Sequence, residues 1–362
     1  MKISILGTVG VPGRYGGFET LAENLVRYHA ESGSPDELTV YCSRAAYPDA
    51  PPGYLSARLR YSRFKANGLQ SVPYDIFTLL DAVFRRTDTV LLLGVSGAAI
   101  LPLVRLVSRA RIITNVDGIE WKRDKWRGLA KWFLRFSERM AVRYSHEVIA
   151  DNQGIADYIQ ENFNTSCHVI AYGGDHALSA VPAPLNGLSI PDSYAFALCR
   201  IEPENNVEMI LEAMAGLPEQ PLVFVGNWKN SEFGRDMLAR FGGFRNLYLL
   251  DPIYDLGKLR TLRAGARLYV HGHSAGGTNP SLVEMMHFGV PILAYDCVFN
   301  RYSTDDRAAY FEDADALAGQ LTHFDPKKAA IMGVSMAKQA QDKYTWQHIG
   351  AAYFGLISGT KY

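Results

Sequence analysis

The chain has 362 residues, 48% of them hydrophobic and 20% charged, and its formal net charge at pH 7 is zero. This length is about twice that of a usual single domain, and the composition excludes a disordered chain. Because positive and negative charges balance, a polyanionic partner such as nucleic acid is not expected, and any attraction to anions must be local.

Apolar, β-rich runs alternate with helical patterns through the first half of the chain. A helix is predicted over Phe18–Ala30, and strands are predicted over Ile3–Leu6, Leu38–Cys42, Thr89–Leu93, Arg111–Thr114 and Glu147–Ala150. Such alternation predicts an α/β domain with a parallel sheet covered by helices on both faces.

A stretch with three prolines and no helical or strand period, AVPAPLNGLSIPD, then interrupts the pattern. After it the alternation restarts, with strands at Tyr194–Leu198, Leu222–Val225, Leu247–Leu250, Leu268–Val270 and Pro291–Ala294, and helices from about Val207 and Ser281. We therefore predict an N-terminal Rossmann-like domain over 1–178, a linker over 179–192, a C-terminal Rossmann-like domain over 193–343, and a helix within 344–362 that packs back on the first domain.

The four cysteines, Cys42, Cys167, Cys199 and Cys297, are far apart and form no CxxC pair, which favours reduced thiols. The start, MKISILG, passes directly into a glycine-rich loop without a signal-peptide pattern, and no apolar run reaches about 18 residues. These features predict a cytoplasmic protein whose contact with a membrane, if any, is peripheral.

The first loop reads GTVGVPGRYGGFET and joins the first strand to the first helix. Its spacing is not GxGxxG, and no acidic residue ends the second strand near position 42, so a dinucleotide site is disfavoured. Glycines let backbone N–H groups approach a ligand. We interpret Gly16 and Gly17 as donor-binding and Phe18 and Glu19 as acceptor-binding; the alternative is a tight turn without a ligand.

A second glycine turn lies in HGHSAGGTNPSLVEMMHFGVPILAYD, residues 271–296. Pro280 preceded by Asn279 is a typical helix start, and it leaves the N–H groups of Gly277, Thr278 and Asn279 available to a phosphate or a sugar hydroxyl. The helix that follows carries Glu284. This segment predicts a cradle for a nucleotide-sugar.

The same segment resembles the retaining GT-B glycosyltransferases of the family 4 type, whose signature is two glutamates eight positions apart before a GVP strand. The resemblance implies a GT-B fold, in which two Rossmann-like domains have parallel sheets facing a central cleft. It also implies that Glu284 binds the ribose of the donor. The first glutamate of the signature would fall at Gly276, where this chain departs from the family.

The element CRIEPENN follows the first strand of the second domain. In the family an arginine here, with a lysine five residues later, holds the diphosphate; Arg200 matches the arginine, and Asn205 stands in the lysine position. A guanidinium suits two phosphate oxygens. Lys229 is the candidate for the second cation, and the alternative for Arg200 is a surface ion pair with a neighbouring glutamate.

A third loop, TNVDGIEWKRDKW, follows a strand of the first domain. Asp117 is the candidate to orient the acceptor hydroxyl or take its proton, with Glu120 as second choice. Lys122 is assigned to acceptor binding. Carboxylates at strand ends are also common as turn formers or helix caps, so a structural role for Asp117 stays open.

Together, GVPGRYGGFETLAENL, NVDGIEWKRDKW, RIEPENN and GGTNPSLVE are similar to bacterial rhamnosyltransferases that use dTDP-β-L-rhamnose in surface-polysaccharide assembly. The resemblance implies a hexosyl transfer with retention, no cofactor and no metal ion. The acidic DAD at 313–315 is far from the donor motifs and is not read as a metal loop. A nucleotide-sugar epimerase or hydrolase and a noncatalytic nucleotide-sugar-binding protein remain alternatives.

A basic helix is predicted at 127–143, within the Lys/Arg-rich stretch 122–143. Its apolar stripe consists of Leu129, Phe133, Phe136 and Met140. Such a helix is able to lie on an anionic membrane, and the alternative is an ordinary amphipathic helix whose stripe faces the core. Membrane contact would fit an acceptor linked to polyprenyl diphosphate, as the resemblance implies.

Overall fold

The computed structural model describes residues 1–13, 16–116, 118–119, 121 and 128–359. They form two compact units, one made of 1–171 and the C-terminal segment from Trp346, the other of 172–345. The division falls between Ala171 and Tyr172, so the proline-rich segment 179–192 belongs to the second unit.

The first unit is built on a sheet of order β3-β4-β2-β1-β5-β6-β7-β8, which is parallel apart from the antiparallel pair β3–β4. Its strands are β1 (Lys2–Leu6), β2 (Glu37–Ser43), β3 (Gly53–Tyr54), β4 (Ala57–Ser62), β5 (Thr89–Leu93), β6 (Arg111–Val116), β7 (Glu147–Ala150) and β8 (His168–Val169). Its helices are α1 (Gly17–Glu31), α2 (Ser71–Phe84), α3 (Leu101–Val107), α4 (Gly128–Tyr144), α5 (Gln153–Phe163) and α13 (Trp346–Ser358).

The second unit has a parallel sheet of order β11-β10-β9-β12-β13-β14. Its strands are β9 (Tyr194–Leu198), β10 (Leu222–Val225), β11 (Leu247–Leu250), β12 (Ala266–His271), β13 (Ile292–Tyr295) and β14 (Ala309–Phe311). Its helices are α6 (Val207–Ala215), α7 (Glu232–Phe241), α8 (Leu256–Ala264), α9 (Pro280–Met286), α10 (Val298–Thr304), α11 (Ala314–Thr322) and α12 (Pro326–Lys343). The α/β class with parallel sheets predicted from the sequence is confirmed.

Each sheet contains one point where the strand order reverses. In the first unit β1 lies between β2 and β5, and in the second β9 lies between β10 and β12. Connections leave such a pair of strands in opposite directions, which opens a crevice at their carboxyl ends, and ligands of open α/β sheets bind there. The fold thus marks one candidate crevice in each unit.

The C-terminal helix α13 belongs to the first unit and packs on α1. The side chain of Arg111 donates to the carbonyl of Leu356 at 2.8 Å, and the Asn115 amide donates to the Tyr353 hydroxyl at 2.6 Å. A Cβ at position 350 would lie 2.3 Å from the Tyr28 ring, so Gly350 lets the two helices approach closely.

Helix α4 does not bury the stripe identified from the sequence. Its core-facing residues are Leu134, Ser137, Glu138, Ala141 and Val142. Leu129 and Phe136 are exposed instead. The interpretation that the apolar stripe faces the core is therefore wrong for Leu129 and Phe136. The buried face of α4 is rotated about the helix axis relative to the stripe.

Among the described helices, none combines the length and the apolar character needed to cross a bilayer.

Candidate functional site

In the second unit, the loops after β9 and β12 are joined at the carboxyl ends of these neighbouring strands. The Asn206 amide donates to the Gly272 carbonyl at 2.8 Å, and the N–H of Ser274 donates to the Glu204 carbonyl at 3.0 Å. A Cβ at position 272 would lie 2.2 Å from the Asn205 carbonyl oxygen. The two loops therefore form one rigid rim of the crevice.

Asn205, which stands where the family has a lysine, is a buried structural residue. Its amide nitrogen donates to the Arg200 carbonyl at 2.7 Å, and its Oδ1 lies 2.7 Å from Nδ1 of His273. It is 3% exposed. A lysine here would lose both contacts and bury an ammonium, so the position does not supply the second cation.

The glycine turn before α9 has a backbone that excludes the first glutamate of the family signature. Gly276 has φ of +113°, a conformation that residues with a Cβ rarely adopt. Asn279 caps α9, since its Oδ1 accepts from the N–H of Ser281 at 3.0 Å. Thr278 is buried and Gly277 is half-buried.

Glu284 lies in α9 and forms a buried ion pair with Arg263 of α8. Its other oxygen lies 3.3 Å from Nε2 of His176. The side chains of Glu284 and Arg263 are 12% and 6% exposed. Burial acts to raise the pKa of Glu284, but Arg263 and His176 outweigh it, so the pKa lies below its ordinary value and the group is ionised at neutral pH.

Arg200 and Lys229 both lie at the carboxyl edge of the second sheet, in the loops after β9 and β10. The Arg200 side chain is 40% exposed and is 3.8 Å from the Glu202 carboxylate. Lys229 is 70% exposed and is paired with Asp251 at 2.7 Å. The structure thus contains the Arg200 surface pair that the sequence left open, and exposed pairs of this kind are weak.

In the first unit, the glycine-rich loop lies against the neighbouring strand of the reversal point. A Cβ at position 7 would lie 1.9 Å from the Leu93 carbonyl oxygen, so only glycine fits there. Gly16 precedes α1 with φ of +145°, and its carbonyl accepts from the N–H of Thr20. Gly17 is the first residue of α1.

The acceptor candidates of this loop differ in accessibility. Phe18 is half-buried, with its ring 3.3 Å from where a Cβ of Gly94 would be. Glu19 is only 6% exposed. Asp117, Glu120 and Lys122 lie outside the described residues.

Sequence reasoning missed three side chains around these crevices. Arg263 and His176, the partners of Glu284, are 21 and 108 positions away in the chain, and no motif connects them to it. Asp75, in α2, is a buried carboxylate beside Gly97 in the loop after β5. A helical pattern alone does not distinguish it from a surface acid.

Comparisons with known proteins agree with this architecture. Residues 1–175 match a family model described as a domain of unknown function, DUF1972. No curated protein matches the chain.

Solved structures match nearly the whole chain at low identity. Sucrose-phosphate synthase from Thermosynechococcus elongatus is 15% identical with a TM-score of 0.82, over 99% of this chain and 98% of its own. HepE from Anabaena, solved with UDP-glucose, is 15% identical with a TM-score of 0.73, over 99% and 100%. A putative UDP-N-acetylglucosamine 2-epimerase from Listeria monocytogenes is 14% identical with a TM-score of 0.64, over 99% and 97%. These likenesses and the two parallel sheets show that the chain has the GT-B fold.

Proposed function

We propose that this protein is a glycosyltransferase that moves a sugar from a nucleotide-sugar donor to a saccharide acceptor. The proposal depends chiefly on the β9/β12 reversal point, where Arg200, a glycine turn and the ionised Glu284 follow the carboxyl ends of the strands. The likeness to HepE, whose structure holds UDP-glucose, supports a nucleotide-sugar as the ligand.

Glu284 suits the ribose of the donor. An ionised carboxylate is purely an acceptor with about four lone-pair sites, so Arg263 and His176 leave sites for the two ribose hydroxyls. Arg263 also holds the Glu284 carboxylate in place. The ribose hydroxyls of the nucleotide-sugar would therefore bind carboxylate oxygens that are already oriented.

The diphosphate of the donor needs positive charge as it leaves. Arg200 is more than hydrogen-bonding distance from Glu202, so its guanidinium is available for two phosphate oxygens. Lys229 would exchange Asp251 for the diphosphate, which costs little for an exposed pair. The N–H groups of residues 277–279 complete this set of donors, and we expect the transfer to need no metal ion.

The finer assignments rest on the sequence resemblance. We propose dTDP-β-L-rhamnose as the donor, transfer with retention, and a role in bacterial surface-polysaccharide synthesis, with Asp117 beside the reacting acceptor hydroxyl and Glu120 and Lys122 binding the acceptor. An NMR spectrum of the product tests retention, because the anomeric configuration of the transferred sugar would be that of the donor.

Donor binding is tested by a thermal-shift panel of dTDP-, UDP- and GDP-sugars on the wild type, Arg200→Ala and Arg240→Ala. The two arginines are 40% and 42% exposed, and Arg240 lies in α7 paired with Glu208, so it is a matched control. We expect one donor to raise the Tm of the wild type and of Arg240→Ala, with a much smaller shift in Arg200→Ala. Equal shifts in all three proteins would contradict the role of Arg200.

Consumption of the donor by the wild type without any acceptor would instead favour an epimerase or hydrolase. Tight donor binding without any turnover would favour a noncatalytic protein.

We further propose that the first unit rests on an anionic membrane through a basic-apolar surface formed by α3 and α4. These helices contact each other and expose Leu103, Leu106 and Val107 of α3 and Leu129, Trp132 and Phe136 of α4. Basic side chains flank this surface: Arg105, Lys131, Arg135, Arg139 and Arg143. The acid of these two helices, Glu138, is buried. Exposed apolar groups flanked by cations are typical of membrane-surface binding.

A further inference from the structure

Asp75 is a buried carboxylate of the first unit. It lies in the first turns of α2 and is 7% exposed. Among the described residues no hydrogen bond or ion pair reaches its carboxylate. Two other buried carboxylates of the described residues have partners: Glu138 accepts from Trp121 and Tyr158, and Glu284 pairs with Arg263.

The position of Asp75 coincides with the strand-order reversal of the first sheet. A Cβ at Gly97, in the loop after β5, would lie 2.8 Å from the Cβ of Asp75. The adjacent Tyr74 donates its hydroxyl to the Thr8 carbonyl at 2.9 Å, in the glycine-rich loop after β1. The first turns of α2 therefore contact both loops that border the crevice between β1 and β5, where open α/β sheets bind ligands.

A carboxyl that is 7% exposed and has no partner among the described residues lowers stability, because burial removes most of its contact with water without supplying a hydrogen bond. Buried polar groups of this kind are concentrated at functional sites. Burial raises the pKa of Asp75 to about 8. At neutral pH the group is therefore mainly the neutral acid, which donates one hydrogen bond and accepts others. A sugar hydroxyl, which also donates and accepts, matches this chemistry better than an anion does.

We propose that Asp75 is a hydroxyl-binding residue for the saccharide acceptor, in the β1/β5 crevice of the first unit. The assignment rests on the proposed glycosyl transfer: the candidates for the diphosphate and the ribose, Arg200, Lys229 and Glu284, lie in the second unit, whereas the acceptor candidates Phe18 and Glu19 lie in the first turn of α1, after the loop that borders this crevice. Gly97 contributes by lacking a side chain, because a Cβ there would clash with the Cβ of Asp75 and move α2 away from the loop after β5.

The test compares Asp75→Ala with the wild type and with Asp81→Ala. Asp81 is a matched control on the same helix, because it is paired with Arg60 and Arg85. Saturation-transfer-difference NMR measures binding of the octyl β-glycosides of glucose, galactose, N-acetylglucosamine and L-rhamnose. Thermal shift with dTDP- and UDP-sugars measures donor binding separately, and Tm is recorded at about pH 5.5 and about pH 8.

We expect Asp75→Ala to bind the preferred glycoside about tenfold more weakly, with donor binding changed by less than about twofold, as for one lost ligand hydrogen bond. We also expect the Tm of Asp75→Ala relative to the wild type to be higher at the higher pH, where the buried carboxyl of the wild type begins to ionise. Asp81→Ala should lower the Tm and leave glycoside binding unchanged.

Unchanged glycoside binding in Asp75→Ala would overturn the proposal, even if the variant were more stable. So would a wild type that binds none of the four glycosides, or equal losses in both variants. Donor binding by the same wild-type protein would still decide the proposed donor site, so a failure of this inference is distinct from a failure of the proposed function.

Discussion

Glu284 has two roles to be tested, one in stability through its buried ion pair with Arg263 and one in donor binding. Variants of both partners of the pair separate these roles. Removing one partner of a buried ion pair leaves an uncompensated charge and costs about 3–5 kcal/mol, whereas replacing both partners by apolar residues is often close to neutral. Glu284→Ala alone should therefore reduce the free energy of unfolding substantially, because Arg263 keeps only 6% of its side chain exposed.

The expected loss is large enough to measure by heating. For a unit of about 150–250 residues, each 1 kcal/mol lowers Tm by roughly 2–4 °C, so Glu284→Ala should lower the Tm of the second unit by roughly 6–20 °C. The double variant Arg263→Met/Glu284→Met should recover most of this loss. Calorimetry is the suitable assay, since two units can unfold in separate transitions.

The Glu284–Arg263 pair also makes the free energy of unfolding depend on pH, and the direction of this dependence follows from the pKa of Glu284. The pKa of Glu284 is lower in the folded chain than in the unfolded one, so its contribution to stability is present above about pH 4.3 and is lost as the pH falls through the folded pKa. In Glu284→Ala this contribution should be absent. Lost donor binding in the stable double variant would support the ribose role of Glu284.

Two results would refute this reasoning. An unchanged Tm in Glu284→Ala would show that the Glu284–Arg263 ion pair is not shielded from water. If the Tm of the double variant fell by the sum of the two single-variant losses, the two side chains would not interact. Normal donor binding by the stable double variant would make Glu284 a purely structural residue.

Three further predictions concern other parts of the molecule. Trp132→Glu should abolish co-sedimentation with vesicles of phosphatidylcholine and phosphatidylglycerol, whereas Phe84→Glu, at a more exposed apolar position outside the basic-apolar surface, should not; equal binding by both variants would reject this surface. Asn205→Lys should lower the Tm and leave donor affinity no higher than in the wild type, because the buried amide contacts the Arg200 carbonyl and His273 and an ammonium in its place must lose its water; a tighter donor complex would contradict this. Transfer onto an acceptor should continue at the same rate in EDTA, and a loss restored by Mg²⁺ would show that the cations of the protein are insufficient.

The organisation of the chain could be read from its sequence, because alternating apolar runs and helical patterns are local properties. The runs at Tyr194–Leu198 and Leu222–Val225 form strands with those bounds. The helix predicted from Phe18 was also readable, since α1 begins one residue earlier, at Gly17. Such signals, repeated in both halves, predict two α/β domains, whereas the GT-B fold was implied by the resemblance of residues 271–296 to glycosyltransferases.

The contacts that define the candidate sites depended on tertiary structure. Arg263 meets Glu284 only because α8 and α9 lie next to each other, and the burial of Asn205 depends on the loop after β12. Asp75 looks like any helical acid until α2 is placed on the sheet. Likewise, the buried face of α4 is chosen by its neighbours rather than by its apolar stripe. Local patterns determine which elements form, whereas the desolvation and pairing of a charge depend on groups distant in sequence that only the folded chain brings together.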